Sequence, residues 1–203
     1  MKKMRNVQEN YCPICGHENV LKVEAQRKSP FYKNKDYLYY ECPRCGNFFI
    51  SDQLDRNLVQ EEKPLTLISS WIREQNEIER EVSLTTDVYE RLKKDLRMPN
   101  VSEKQFKLMQ ALERRTKPGK WIDFRENMEA LIAAGWCTSL EELIFWIKTL
   151  TERKLLKEKG QTYMVTRGGI RLDIPSHIQI TGSGWDYWMN INARNQRIQK
   201  RPL

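Results

Sequence analysis

The first fifty residues contain one five-residue pattern twice, and this repeat constrains the fold more than any other feature of the chain. Each copy reads Cys-Pro-x-Cys-Gly, at Cys12–Gly16 and at Cys42–Gly46. Two cysteines in one tight turn present both sulfurs to a tetrahedral ion, for which the Zn–S distance is about 2.3 Å. Proline fixes φ after the first sulfur, and glycine after the second admits a left-handed backbone. One Zn²⁺ is therefore predicted, bound by Cys12, Cys15, Cys42 and Cys45.

The residues around the two turns predict a small β-ribbon. The segments Val20–Glu24, Tyr37–Tyr40 and Phe48–Ile50 are rich in β-formers, which indicates three strands within residues 1–51. Four sulfur ligands leave no coordination position for water or substrate, so the predicted role of the metal is structural. His17 follows the first turn and is expected near the site or at the surface rather than as a ligand.

The charge of the chain is positive but uneven. Its 203 residues carry a formal net charge of +8, divided as +4 over residues 1–51, −3 over 52–100 and +7 over 101–203. The two ends therefore favour an anionic partner, and the middle is expected to avoid phosphate. The longest apolar stretches, such as Ala130–Ala134, are far shorter than the roughly 20 residues of a membrane span. A cytoplasmic protein without membrane contact is expected, with the lone Cys137 in a core.

Residues 52–100 are predicted to form a helical connector. Pro64 separates two helices, of which the second runs from about Leu65 to Glu77. A third is predicted to start at the cap Thr85–Asp87 and to stop before Pro99.

Residues 101–183 show the order of signals of a winged helix-turn-helix, so the predicted class is α+β, mainly α. The third helix, capped by Thr138 and Ser139, is the one that would enter a DNA groove. The predicted elements are a helix capped by Ser102, a short extended segment Trp121–Asp123, a helix over Met128–Trp136, the third helix over Leu140–Leu156, a turn at Lys157–Gly160, a strand over Gln161–Thr166 and, in residues 184–203, a last helix from Gly184.

The outward face of this third helix is predicted to contact protein. Two carboxylates near its start would repel a phosphate backbone, and an outward phenylalanine suits a protein interface. DNA reading, or burial against another segment of the chain, are the alternatives. The predicted interface residues are Glu141, Glu142, Phe145, Trp146 and Thr149.

The end of the chain is basic. Arg194, Arg197, Lys200 and Arg201 follow the last acidic residue, Asp186. This tail is a candidate contact for nucleic acid, and a solvated linker is the alternative.

A catalytic constellation is not visible in the sequence. The only two histidines, His17 and His177, lie in different modules, and no Gly-rich phosphate loop precedes a helix. Arg73 with Glu74 and Glu77 has two interpretations, a reactive site or a solvated helix face. No enzyme is expected.

Nearly the whole chain resembles the amino-terminal region of a group of bacterial proteins. The matching parts are the two cysteine turns, the segment Ser69–Asn76 and the stretch Leu140–Leu156 with Gly184 and Trp185. These proteins are associated with anti-phage defence, and their carboxy-terminal domain is similar to TIR or nucleoside deoxyribosyltransferase domains. The resemblance implies an effector that cleaves a nucleotide such as NAD. This chain stops near the point where that domain would begin, so either a fragment or a free-standing regulator is expected.

The expected function is therefore a non-catalytic sensing, regulatory or assembly module that controls such an effector. Its expected partner is another protein or a second copy of the chain. The alternative is a DNA-binding transcriptional regulator that uses the winged helix and the basic tail.

Overall fold

The computed structural model describes residues 11–33, 35–58, 65–165 and 171–199, apart from the side chains of residue 165 and residues 194–199. The chain divides into two compact units, Met1–Arg97 and Met98–Leu203. Within the described ranges it forms seven α-helices and two sheets, which confirms the α+β class. No helix in these ranges is long and apolar enough to cross a membrane.

A four-stranded sheet frames the amino-terminal unit. Strands β1 (Leu21–Glu24), β2 (Tyr37–Cys42) and β3 (Gly46–Ser51) pair antiparallel in sequence order. Strand β4 (Ser83–Leu84) adds to β3 in parallel, so the predicted three-stranded ribbon lacked one strand. A strand of two residues is too short to leave a periodic pattern in the sequence, which is why it was missed.

Three helices cover one face of this sheet. They are α1 (Asp52–Leu58), α2 (Thr66–Glu77) and α3 (Thr86–Asp95), close to the predicted positions. The Thr85 hydroxyl accepts a hydrogen bond from the Val88 amide at 3.3 Å and so caps α3, as predicted. Apolar residues of these helices and of the sheet form one core with the cysteines; its largest members include Ile14, Tyr40, Phe48, Ile50, Leu54, Ile68, Ile72 and Leu84.

The carboxy-terminal unit places four helices and a hairpin around a second core. Its elements in order are α4 (Val101–Arg115), β5 (Ile122–Asp123), α5 (Phe124–Ala134), α6 (Leu140–Glu152), β6 (Leu156–Val165), β7 (Arg171–Ile180) and α7 (Gly182–Gln199). Strand β7 lies between β5 and β6 and is antiparallel to both. Leu112, Phe124, Leu131, Leu143, Ile147 and Ile178 are among the residues that fill the core.

The start of α4 differs from the prediction. Asn100, not Ser102, is the capping residue: its side chain accepts from the Glu103 amide at 3.0 Å, and the Glu103 carboxylate accepts from the Asn100 amide at 2.8 Å. This reciprocal pair satisfies two amides that an α-helix leaves without partners. Ser102 is therefore inside the first turn of the helix.

The region after α6 also differs. The helix ends at Glu152, because Lys154 adopts a left-handed backbone with φ of +60°, and the predicted extension to Leu156 is wrong. The turn predicted at Lys157–Gly160 is wrong too, since these residues lie inside β6 and pair with β7 on both sides of Gly160. Gly160 has φ of +63°, a left-handed conformation that favours glycine. Glycine serves the same purpose in turns, so the sequence alone did not distinguish the strand from a turn.

Candidate metal centre

The sulfur atoms of Cys12, Cys15, Cys42 and Cys45 meet in the amino-terminal unit. All four Sγ atoms lie within 4.8 Å of one another, and all four residues are buried. The Sγ atoms of Cys12 and Cys45 are 3.7 Å apart, and those of Cys15 and Cys42 are 3.5 Å apart. A tetrahedral ion with Zn–S bonds of about 2.3 Å requires sulfur separations of about 3.8 Å. The residues therefore fit one metal ion with four thiolate ligands.

Backbone hydrogen bonds shape each cysteine turn. In the first turn the Gly16 amide donates to the Cys12 carbonyl and the Cys12 amide donates to the His17 carbonyl, both at 2.9 Å. In the second turn the Cys45 amide donates to the Cys42 Sγ at 3.3 Å, as amides around ligating thiolates do. His17 thus supports the site through its carbonyl, and its ring contacts the Glu18 carbonyl.

Ionisation of all four thiols at this buried site would require a cation beside them. Burial raises the pKa of the Cys12 and Cys45 thiols, whereas hydrogen bonds from the other cysteines, Cys12 first, lower the pKa of Cys42. Buried groups that disfavour ionisation cannot all carry negative charge without a counter-charge nearby. A divalent metal provides that charge, and thiols that coordinate one are deprotonated.

Two side chains of α2 reach the second cysteine turn. The Ser69 hydroxyl lies 3.2 Å from the Cys45 Sγ, within hydrogen-bond range of a sulfur. The Arg73 guanidinium donates to the Arg44 carbonyl at 2.7 Å and also to the Pro43 carbonyl. A guanidinium has five donors in a fixed plane, so it can bind several carbonyls of one turn together.

A third side chain of α2 binds the residues just after the turn. The Asn76 Oδ1 accepts from the Asn47 amide at 2.8 Å, and the Asn76 Nδ2 donates to the Asn47 carbonyl at 2.9 Å. The neighbouring Gly46 has φ of +89°, and a Cβ there would lie 2.9 Å from the Asn76 Cγ. Gly16 has φ of +69° in the first turn, but a Cβ there would meet nothing within 4 Å.

Ser69, Arg73 and Asn76 together are named here the α2 clamp. They are spaced four and three residues apart, which places them on one face of the helix. The Arg73 guanidinium holds the second cysteine turn, a role that neither interpretation of Arg73 with Glu74 and Glu77 included. Sequence reasoning missed Ser69 and Asn76 as parts of the site, although their helical spacing from Arg73 was a usable signal.

A buried polar group joins α1 to the sheet. Asp55 is only 3% exposed, and its carboxylate accepts from the Lys22 ammonium and from the Tyr40 hydroxyl, each at 2.9 Å. Burial first, then the Asp55 carboxylate, raises the pKa of Tyr40, so this phenol stays protonated and donates. The sequence carried no signal that linked these three residues.

The predicted interface on α6 is only partly a surface. Phe145 is 58% exposed, but Trp146 is buried, so the prediction that Trp146 shares the outward face is wrong. Glu142 is half-buried and accepts from the Lys104 ammonium at 2.6 Å and from the Trp146 indole at 3.2 Å. Burial alone would raise the pKa of Glu142, but these bonds and those from Thr138 outweigh it and lower the pKa to about 2.

The other α6 residues and the cysteine outside the cluster are placed as follows. Glu141 is exposed and Thr149 is half-buried, with its hydroxyl donating to the Phe145 carbonyl at 2.8 Å. Cys137 lies in the core of its unit, as predicted, and burial raises its pKa to about 12. The candidate nucleic-acid contacts at the end of the chain lie outside the described side chains; these are Arg194, Arg197, Lys200 and Arg201.

Comparison of the chain with protein-family models, with curated proteins and with solved structures finds no significant match.

Proposed function

We propose that the metal is a single Zn²⁺ with a structural role, held by Cys12, Cys15, Cys42 and Cys45. The sulfur separations of 3.5 and 3.7 Å support this, because they are close to the edge of a tetrahedron of zinc thiolates. Four buried sulfurs complete the coordination of zinc and leave no position for a reacting molecule. The contacts of the α2 clamp support the same role, since they fix the shape of the ligand-bearing turn.

The carboxy-terminal unit is proposed to be a winged helix. The order α4, β5, α5, α6, β6, β7 and the sheet order β5–β7–β6 support this assignment. In such a fold α6 occupies the position of the helix that reads DNA, and the β6–β7 hairpin is the wing. The charge and polarity of the exposed side chains of α6 therefore indicate whether the unit binds DNA or protein.

The proposed function is a non-catalytic sensing, regulatory or assembly module that controls a separate nucleotide-cleaving effector in bacterial anti-phage defence. The effector and its biological setting rest on the resemblance described from the sequence. One observation carries the module's protein-binding role: Phe145 stands 58% exposed at the centre of α6, with the acidic Glu141 one turn before it. An exposed aromatic ring is an efficient anchor at protein interfaces, while a carboxylate beside it opposes a phosphate backbone.

Sedimentation of the purified chain tests this role. Wild-type protein is expected to exceed the monomer mass at micromolar concentration, and Phe145→Glu is expected to restore the monomer. Met189→Glu on α7 is the matched control, because Met189 is also exposed, at 65%, and the same charge is introduced. A monomeric wild type that Phe145→Glu does not change would remove the case for this face, and consumption of NAD by the purified chain would contradict a non-catalytic role.

The competing function is a DNA-binding regulator, favoured by the exposed Lys157 and Lys159 on the β6 strand of the hairpin. Tight and strongly salt-dependent binding to duplex DNA would support it over the proposal.

A further inference from the structure

The segment between β1 and β2 forms a separate feature on the second face of the amino-terminal sheet. Residues 25–35 are named here the ribbon lobe. Its described residues include two 3-10 turns, Ala25–Arg27 and Pro30–Tyr32. Ala25 and Tyr32 are buried with Tyr39 and Phe49 in a small core of their own. The metal site uses none of these residues.

One aromatic ring of the lobe is held in solvent. Phe31 is 69% exposed, yet its neighbour Tyr32 is fixed by stacking on Phe49, with ring centroids 4.1 Å apart, and by donating to the Glu81 carboxylate at 3.1 Å. The Phe31 ring meets the Tyr32 ring edge-on at 5.2 Å. Its position is therefore set by a buried anchor, so little conformational entropy is lost when a ligand contacts the ring.

Positive charge is concentrated around this ring. The described residues of the amino-terminal unit contain thirteen Lys or Arg and thirteen Asp or Glu, whereas the described lobe contains four cations and no acid. The Lys35 ammonium lies 3.5 Å from the centroid of the Phe31 ring. The cations of the lobe are all exposed; they are Arg27, Lys28, Lys33 and Lys35.

Acidic residues at the border of the lobe engage only part of this charge. Arg27 lies 3.6 Å from the Glu24 carboxylate, and Lys28 lies 2.6 Å from the Glu41 carboxylate. Both are exposed ion pairs, which are weak and readily exchanged for other anions. Between two and four cations are thus positioned to meet an anionic ligand beside the ring.

We propose that the ribbon lobe binds single-stranded nucleic acid, with a base stacked on Phe31 and adjacent phosphates on the lobe cations. A stacking ring beside a basic surface is the combination by which proteins bind single strands with little sequence preference. A duplex keeps its bases stacked inside and offers no free base to the ring. An acidic peptide would contact the cations but not the ring. Substitution of Phe31 should therefore weaken the binding of a single strand and leave the binding of an acidic peptide unchanged.

Fluorescence anisotropy with the full-length protein tests the site. The probes are a labelled single-stranded DNA of about 12 nucleotides, an RNA of the same sequence and the matching DNA duplex. Phe31→Ala is expected to weaken single-strand binding about 5- to 100-fold, and Phe31→Tyr, which keeps the ring, to retain it. Met189→Ala is the matched control, because it removes an exposed apolar side chain from the other unit and should leave binding unchanged.

The salt dependence tests the cations. Each phosphate contact on a single strand contributes about −0.7 to the slope of log K against log salt, so two to four contacts predict a slope of about −1.5 to −3. Lys33→Gln should reduce this slope by about 0.7. Three results would overturn the proposal: no single-strand binding at low salt, equal binding by Phe31→Ala and wild type, or duplex binding as tight as single-strand binding. The inference is independent of the proposed assembly role, whose test is the mass of the protein.

Discussion

The two cysteine turns have the same sequence pattern but different surroundings. Alanine at the final glycine of each turn separates the effect of the backbone conformation from the effect of the surrounding side chains. Gly16 and Gly46 both adopt a left-handed backbone, with φ of +69° and +89°. A Cβ at Gly16 meets nothing within 4 Å, whereas a Cβ at Gly46 would lie 2.9 Å from the Asn76 Cγ and 3.0 Å from its Oδ1. Gly16→Ala therefore perturbs the backbone alone, and Gly46→Ala perturbs the backbone and the α2 clamp.

The expected magnitudes follow from these contacts. A left-handed backbone costs a non-glycine residue about 1–2 kcal/mol, which applies to both substitutions. At Gly46 the Asn76 side chain must also move, and its two hydrogen bonds to Asn47 contribute about 0.5–1.5 kcal/mol each. Gly46→Ala should therefore cost about 1–3 kcal/mol more than Gly16→Ala, which is about a 5- to 150-fold larger loss of apparent metal affinity.

Competition for Zn²⁺ between the protein and a chromophoric chelator measures this difference, because folding of a thiolate site and metal binding are coupled. A double-mutant cycle isolates the contact. In an Asn76→Ala background the contacts with Cγ and Oδ1 are absent and only that with the Cβ of residue 76, at 3.3 Å, remains, so Gly46→Ala should cost little more than Gly16→Ala does in wild type. Equal losses at the two glycines, or an undiminished loss in the Asn76→Ala background, would refute the reasoning.

Two further substitutions test charged groups. Arg73→Ala should weaken Zn²⁺ binding about 10- to 100-fold, because the carbonyls of the second turn lose their guanidinium partner. Arg80→Ala, which removes an exposed arginine, should leave the Zn²⁺ affinity unchanged. Equal affinities of Arg73→Ala and wild type in the chelator assay would contradict this prediction. The Glu142 pKa is lowered from 4.5 to about 2, so its stabilising effect is complete above about pH 4.5 and is lost as the pH falls toward 2, by up to about 3 kcal/mol. Urea unfolding followed by tryptophan fluorescence should show this loss of stability in wild type and in the control Glu152→Gln. It should be absent in Glu142→Gln, which leaves Lys104 without its carboxylate at any pH. A pH profile of Glu142→Gln parallel to that of wild type would contradict the lowered pKa of Glu142.

The cysteine cluster could be predicted from the sequence because its information is local. Each Cys-Pro-x-Cys-Gly turn brings its own two sulfurs together, and a tetrahedral ion requires only that two such turns meet. The helix caps at Thr85 and Ser139 were predictable for the same reason, since a cap is decided by contacts within four residues. The Asn100 cap was missed although it is equally local, because Ser102 offered a competing capping residue two positions later.

The rest of the site depends on which elements pack together, and periodicity does not contain that information. A helical pattern placed Ile147 and Leu143 correctly in the core, but it could not tell that α4 brings Lys104 to the edge of this stripe. That ammonium pairs with Glu142, and Trp146 is buried beside the pair, so the predicted interface is narrower than the pattern indicated. Asp55 was likewise invisible, because its partners are 33 and 15 residues away in sequence.

Helix α2 and the residue before it contact both turns of the candidate metal site. Its first flanking residue, Leu65, donates its amide to the Ile14 carbonyl of the first cysteine turn at 2.7 Å, and its clamp residues bind the second turn. One helix therefore contacts both turns that carry the ligands. Arg73 binds carbonyls of a turn that carries two of the ligands, so we expect part of the free energy of binding the proposed Zn²⁺ to come from the docking of α2. We therefore expect removal of the metal to loosen α2 together with the two cysteine turns.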